Sequence, residues 1–95
     1  MKKYAIKTNL KNPNYNYAIF KSDLTTAFYC LRDCINSEFY NELIFAVDGL
    51  PVLHYVKATN TLFAYSKRGA WYLKRYENYL KTHGTTKQII FSALS

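Results

Sequence analysis

The sequence predicts a single α+β domain with element order ββαβββαβ, in which a mostly antiparallel sheet carries two helices on one face. Three observations point there. Apolar residues recur at helical spacing in two stretches, 24–35 and 66–84. Short runs rich in β-branched and aromatic residues fill the intervals, and turn signals such as Asn12-Pro13-Asn14 and Asp48-Gly49 join neighbouring runs. The chain has 95 residues and is 49% hydrophobic, which suits one core.

Residues 3–10 alternate, with Tyr4, Ile6 and Leu10 on one face and Ala5, Lys7 and Asn9 on the other, and read as a strand. A turn at 11–14 returns the chain as a second strand over 15–20, an N-terminal hairpin whose lysines mark an exposed face or edge. Ser22-Asp23 opens the first helix as its cap. Leu24, Ala27, Phe28, Leu31, Cys34 and Ile35 share its inner face. Cys30 and Cys34 stand one turn apart without a further Cys, which fits neither a zinc site nor a redox Cys-x-x-Cys and reads as reduced core thiols. Residues 42–47 form a strongly apolar strand, Asp48-Gly49 a tight hairpin turn, and 51–56 a strand expected near an edge at its proline end. A strand over 61–65 leads into the second helix, and 87–94 closes the chain as a strand.

This order divides into two copies of strand–strand–helix–strand, residues 3–47 and 52–94, a possible internal repeat related by a pseudo-twofold. A ferredoxin-like core with an added hairpin is the alternative.

The second helix gathers the most information. At 100° per residue, Tyr72, Leu73, Tyr76, Tyr79, Leu80 and His83 fall within about a third of the circumference and predict the inward stripe. Lys74, Glu77 and Lys81 lie opposite, and Gly84 is placed to end the helix. Trp71 projects off the stripe beside Arg75 and Asn78, so it is expected to be at least partly exposed. Lys67 and Arg68 sit at the helix start, where each cation opposes the macrodipole by about 0.3–1 kcal/mol.

Charge is distributed unevenly. Residues 1–21 hold five lysines and no acid, residues 22–56 carry a net −4, and residues 57–95 a net +6, giving +7 for the chain. Basic ends around an acidic middle favour a polyanionic partner and also permit homo-oligomers that associate head to tail. No apolar run is long enough to span a membrane and no signal-peptide core follows Met-Lys-Lys, so a soluble cytoplasmic protein is expected. Phe, Tyr, Ile, Asn and Lys total 40 residues against 16 for Gly, Ala, Arg and Pro. That bias marks an AT-rich gene and suits a phage, a mobile element or a low-GC bacterium.

Reaction chemistry is thinly supplied. Gly49, Gly69 and Gly84 build no phosphate-binding loop, the acids are scattered singly, and His54 and His83 lack metal-ligand spacing. No catalytic residue, metal or cofactor is assigned, and a non-enzymatic binding protein is expected. Its partner is read as RNA or single-stranded nucleic acid, bound by Lys57, Lys67, Arg68, Trp71, Lys74, Arg75 and Lys81, with Lys87 adding charge. Cations would neutralise phosphates while aromatic faces stack on unpaired bases. The competing reading is a protein-binding inhibitor of a host enzyme, defence complex or ribonucleoprotein, anchored by Trp71, Arg75 and Tyr79, since Trp, Tyr and Arg dominate interface energetics. A third is a metal-independent, toxin-like ribonuclease working with Tyr, Lys, Arg and His.

Overall fold

The computed structural model describes residues 2–8, 18–37, 39–84 and 88–93. These form β1 (Tyr4–Thr8), β2 (Ala18–Lys21), α1 (Leu24–Ser37), β3 (Glu42–Val47), β4 (Leu50–Val56), β5 (Thr61–Ala64), α2 (Lys67–His83) and β6 (Ile90–Ala93), with a 3-10 turn at Lys57–Thr59. The α+β order and the placement of both helices against one core agree with the sequence reading. The turn expected at 11–14 and the cation Lys87 lie outside the described residues.

The described strands make one six-stranded sheet in the order β2-β1-β3-β4-β5-β6. All neighbours are antiparallel except β5 and β6, which run parallel with Thr61 opposite Ile90. Alternation along the strands sends Tyr4 and Ile6, Leu43 and Phe45, Leu53 and Tyr55, and Leu62 and Ala64 to the helix side, where all are buried. From α1, Phe28, Leu31 and Ile35 meet them, and from α2, Tyr72, Leu73, Tyr76 and Leu80. Phe28 is the hub: its ring lies 5.7 Å from that of Phe45, 5.2 Å from Tyr76 and 5.8 Å from Tyr79. Such offset and edge-on aromatic pairs add to the hydrophobic gain of burial.

The two halves of the proposed repeat pair differently. In the first, β2 and β3 flank β1, so the crossover through α1 is split by an intervening strand. In the second, β5 and β6 are direct neighbours across α2. No pseudo-twofold relates them. The direct β5-α2-β6 crossover also departs from a ferredoxin-like core, whose crossovers are split. Short sequence echoes do not specify which strand edge receives a crossover.

Local chemistry explains the joints. Asp23 caps α1: its Oδ2 accepts from the Thr26 N–H at 2.9 Å and the Thr26 hydroxyl at 2.8 Å. Those bonds hold its carboxyl below the usual carboxylate range. Asp48 and Gly49 both take positive φ, 52° and 85°, the backbone of a type I′ hairpin. Asp48 also ties the hairpin to the chain start by accepting the Lys3 N–H at 2.8 Å.

β4 lies inside the sheet, but β5 pairs with it only over Leu53–Val56, so its proline end is paired by β3 alone, as the sequence leads one to expect. Pro51 sits where the register against β3 shifts between Phe45 and Ala46, a bulge in which the missing N–H is tolerated. The bulge turns the Val52 carbonyl towards α2. There it accepts the Tyr65 N–H at 3.1 Å and lies so close to Gly69 that a Cβ would collide with it. Gly69 therefore fixes the approach of α2 to the sheet.

Candidate nucleic-acid interface

α2 begins at Ser66, whose hydroxyl accepts the Gly69 N–H at 3.2 Å, and ends at Gly84, whose N–H reaches the Leu80 carbonyl at 2.7 Å. Gly84 ends the helix as expected, with φ 80° and ψ 159°, an extended positive-φ geometry and not the left-handed helical one that often follows a helix. Tyr72, Leu73, Tyr76, Tyr79 and Leu80 are buried, as the helical spacing predicts. His83 is the exception. It is exposed, with its ring stacked 4.2 Å from that of Tyr79, because the stripe runs past the sheet at the last turn.

Burial of that stripe leaves Lys67, Arg68, Trp71, Lys74, Arg75 and Lys81 on an arc of about 140°, all exposed. Trp71 is 47% exposed. The Arg75 guanidinium lies 4.4 Å from its ring centroid, a cation–π pair that orders both side chains. The five cations face one acid at the border of the arc, Glu77, which meets Lys81 at 3.6 Å. The first turn of α2 has no acidic residue. Helix formation does not require this distribution, since cations at a helix N-terminus oppose its dipole.

Two expected contributors lie elsewhere. Lys57 is half-buried in the 3-10 turn between β4 and β5, at the end of β5 remote from the start of α2. Tyr79, expected as a partner anchor, is only 9% exposed and stacks on Tyr76 and His83. Its ring instead helps line a cleft of about 320 Å³ between α1 and α2, of which Arg75, Asn78 and Thr82 form the α2 side.

One cation was not legible from local sequence. Lys2 reaches across from the chain start, its ammonium 5.9 Å from the Tyr72 ring centroid and 3.4 Å from the Tyr72 hydroxyl. Tyr72 meets Trp71 edge-on at 4.8 Å, so Lys2 extends the basic surface beyond the helix. Packing of α2 over β1, where the Tyr4 and Tyr72 rings meet edge-on at 6.4 Å, brings these residues 70 positions apart together.

Arg32, by contrast, serves the fold. Its guanidinium donates to the His83 and Gly84 carbonyls at 3.1 Å each, placing a cation from α1 on the negative end of α2.

The uncovered sheet face holds a second aromatic set. Lys7, Ile44, His54 and Phe63 form one cross-strand row. His54 stacks on Tyr65 with centroids 5.9 Å apart, and its Nε2 lies 3.3 Å from Glu42. Charges of both signs are mixed there, without the single-sign field of α2. The two histidines stand on different elements, His54 on β4 and His83 at the end of α2. Cys30 is partly buried and Cys34 buried, and burial pushes the Cys34 thiol up to about 11, away from nucleophilic use.

Among the described residues no helix is long and apolar enough to cross a membrane. Comparison with protein-family models, curated proteins and solved structures finds no match to this chain.

Proposed function

We propose that the protein is a non-enzymatic binding module for RNA or another single-stranded nucleic acid, engaged through the exposed face of α2. One observation carries this reading: five cations and a tryptophan occupy a single exposed arc, with Arg75 stacked on Trp71. Cations in that arrangement match the phosphate chain, and an exposed indole offers a stacking face to an unpaired base. An α-helix entering the major groove of duplex DNA would instead need side chains aimed at base edges along its centre. Here the centre of the arc is Trp71, which favours single strands.

The test is fluorescence anisotropy of a labelled single-stranded RNA at about 50 and 200 mM salt. Engagement of all five α2 cations predicts a slope of log K on log salt near −3.5, about a hundredfold loss over that range. Absence of binding at low salt would refute the proposal.

The Trp71–Arg75 pair also favours a second reading, an inhibitor seated on a host protein or ribonucleoprotein. An aromatic-anchored protein interface need not share that salt slope, so the titration separates the readings. An AT-rich coding bias is compatible with a phage or mobile-element origin in either case.

A further inference from the structure

We propose that the cleft between α1 and α2 is a pocket for one unpaired nucleobase of the bound strand, an inference that rests on the nucleic-acid reading of α2. Its position is the first argument. Arg75 belongs to both features, lining the cleft while stacking on Trp71 4.4 Å away. A strand tracking the cations of α2 therefore passes the cleft mouth.

Chemistry is the second argument. Phe28 and Tyr79, both buried with ring centroids 5.8 Å apart, supply an apolar aromatic lining, and Leu24 adds to it from the first turn of α1. A flat heterocycle seated there gains dispersion contact with these side chains, the faces of Tyr79 being already stacked on Tyr76 and His83. Polar groups complete the lining: the Thr25 hydroxyl from α1, and the Asn78 amide and Thr82 hydroxyl from α2. Thr82 donates to the Asn78 carbonyl at 3.2 Å, which leaves its oxygen lone pairs as acceptors. An amide presents both a donor and an acceptor, the pair needed to meet the edge of a base. The Arg75 guanidinium is placed for the adjoining phosphate.

Size is the third. About 320 Å³ lies at the small end of ligand-binding clefts and suits one base with part of its sugar. A base still paired in a duplex does not present its edge and both faces together, so insertion selects single strands.

The experiment compares an oligouridylate with an abasic oligonucleotide of equal length and charge, both labelled, by anisotropy at about 50 mM salt. Wild-type protein is expected to prefer the base-bearing strand by between about five- and 150-fold. Thr82→Trp, which fills the cleft from an exposed position, is expected to reduce that preference to the share supplied by stacking on Trp71. Asn78→Ala, which adds no bulk, gives the same direction with a smaller change, and far-ultraviolet circular dichroism confirms that each variant is folded. Equal binding of the two strands by wild type, or an unchanged preference in both variants, overturns the pocket while leaving the polyanion reading intact. No binding of either strand at low salt overturns both together.

Discussion

The two helices bury comparable faces and expose different ones. α1 packs Ala27, Phe28, Leu31, Cys34 and Ile35 inward, and α2 packs Tyr72, Leu73, Tyr76, Tyr79 and Leu80 against the same core. Outside, α1 shows Thr25, Thr26, Tyr29 and Asp33, while its one arginine is spent capping α2. The outside of α2 shows Lys67, Arg68, Trp71, Lys74, Arg75 and Lys81. Folding needs amphipathicity, and α1 achieves it with an outer face close to neutral. The excess positive charge and exposed indole of α2 therefore answer to something other than the core.

If that contrast is right, inner-face changes damage stability and outer-face changes damage binding. The largest stability effect is expected from Tyr76→Ala, which removes a fully buried ring packed on Phe28 and Tyr79. Truncating a buried aromatic costs about 3–5 kcal/mol, a large share of a small domain's stability. Urea denaturation measures it. A loss below about 1 kcal/mol would show that the aromatic hub is not the centre of the fold.

On the outer face, Arg68→Glu with Arg75→Glu is expected to abolish measurable RNA binding at about 150 mM salt. The unfolding free energy from urea titration should stay within the roughly ±0.5 kcal/mol per site typical of surface changes. Two phosphate partners become two repulsive carboxylates, and the cation–π pair with Trp71 is lost as well. Unchanged affinity would remove α2 from the interface and leave the comparison as one of folding alone.

Trp71→Ala sharpens the comparison further. Its loss is expected to weaken single-strand binding by about 1–3 kcal/mol, the worth of one base–aromatic stack. Stability should change by less than about 1 kcal/mol, since Trp71 is nearly half exposed. A larger stability loss with unchanged binding would assign Trp71 to the fold, as a cover for Tyr72, which it meets at 4.8 Å.

Much of this was legible in the sequence because helical periodicity and turn chemistry are local. Asp48-Gly49 specified its own positive-φ hairpin, and the spacing from Tyr72 to Leu80 specified the buried stripe that leaves Trp71 outside. What required the fold was every fact set by pairing between distant strands. The bulge beside Pro51 depends on the register of β4 against β3, and the departure from a repeat depends on which edge β3 joined. Lys2 beside Tyr72 and the cleft formed jointly by α1 and α2 are likewise products of packing. Gly69 is an instructive case: in sequence it is an unfavourable residue inside a helix, and only the bulge carbonyl of Val52 explains it.

The smallest expected effect separates the two helices by pH. Burial raises the Cys34 thiol on the inner face of α1 from 9.0 to about 11, with the neighbouring Cys30 and Asp33 adding in the same direction. An acid whose folded pKa is raised binds its proton more tightly in the native state. The unfolded chain then releases that proton first, so the stabilisation is complete below about pH 9 and is lost as pH rises towards 11. Urea midpoints measured from pH 8 to 10.5 are expected to fall, and Cys34→Ala should flatten the early part of that decline. Burial also raises Tyr76 on the inner face of α2, so a later alkaline loss should survive in the Cys34 variant. RNA affinity rests on the outer face of α2 and not on the Cys34 thiol, so it should hold at about pH 9, where stability has begun to fall. A decline in binding that tracked the loss of stability from pH 8 upward would show that the outer face of α2 depends on the inner face of α1 more closely than the contrast between the helices allows.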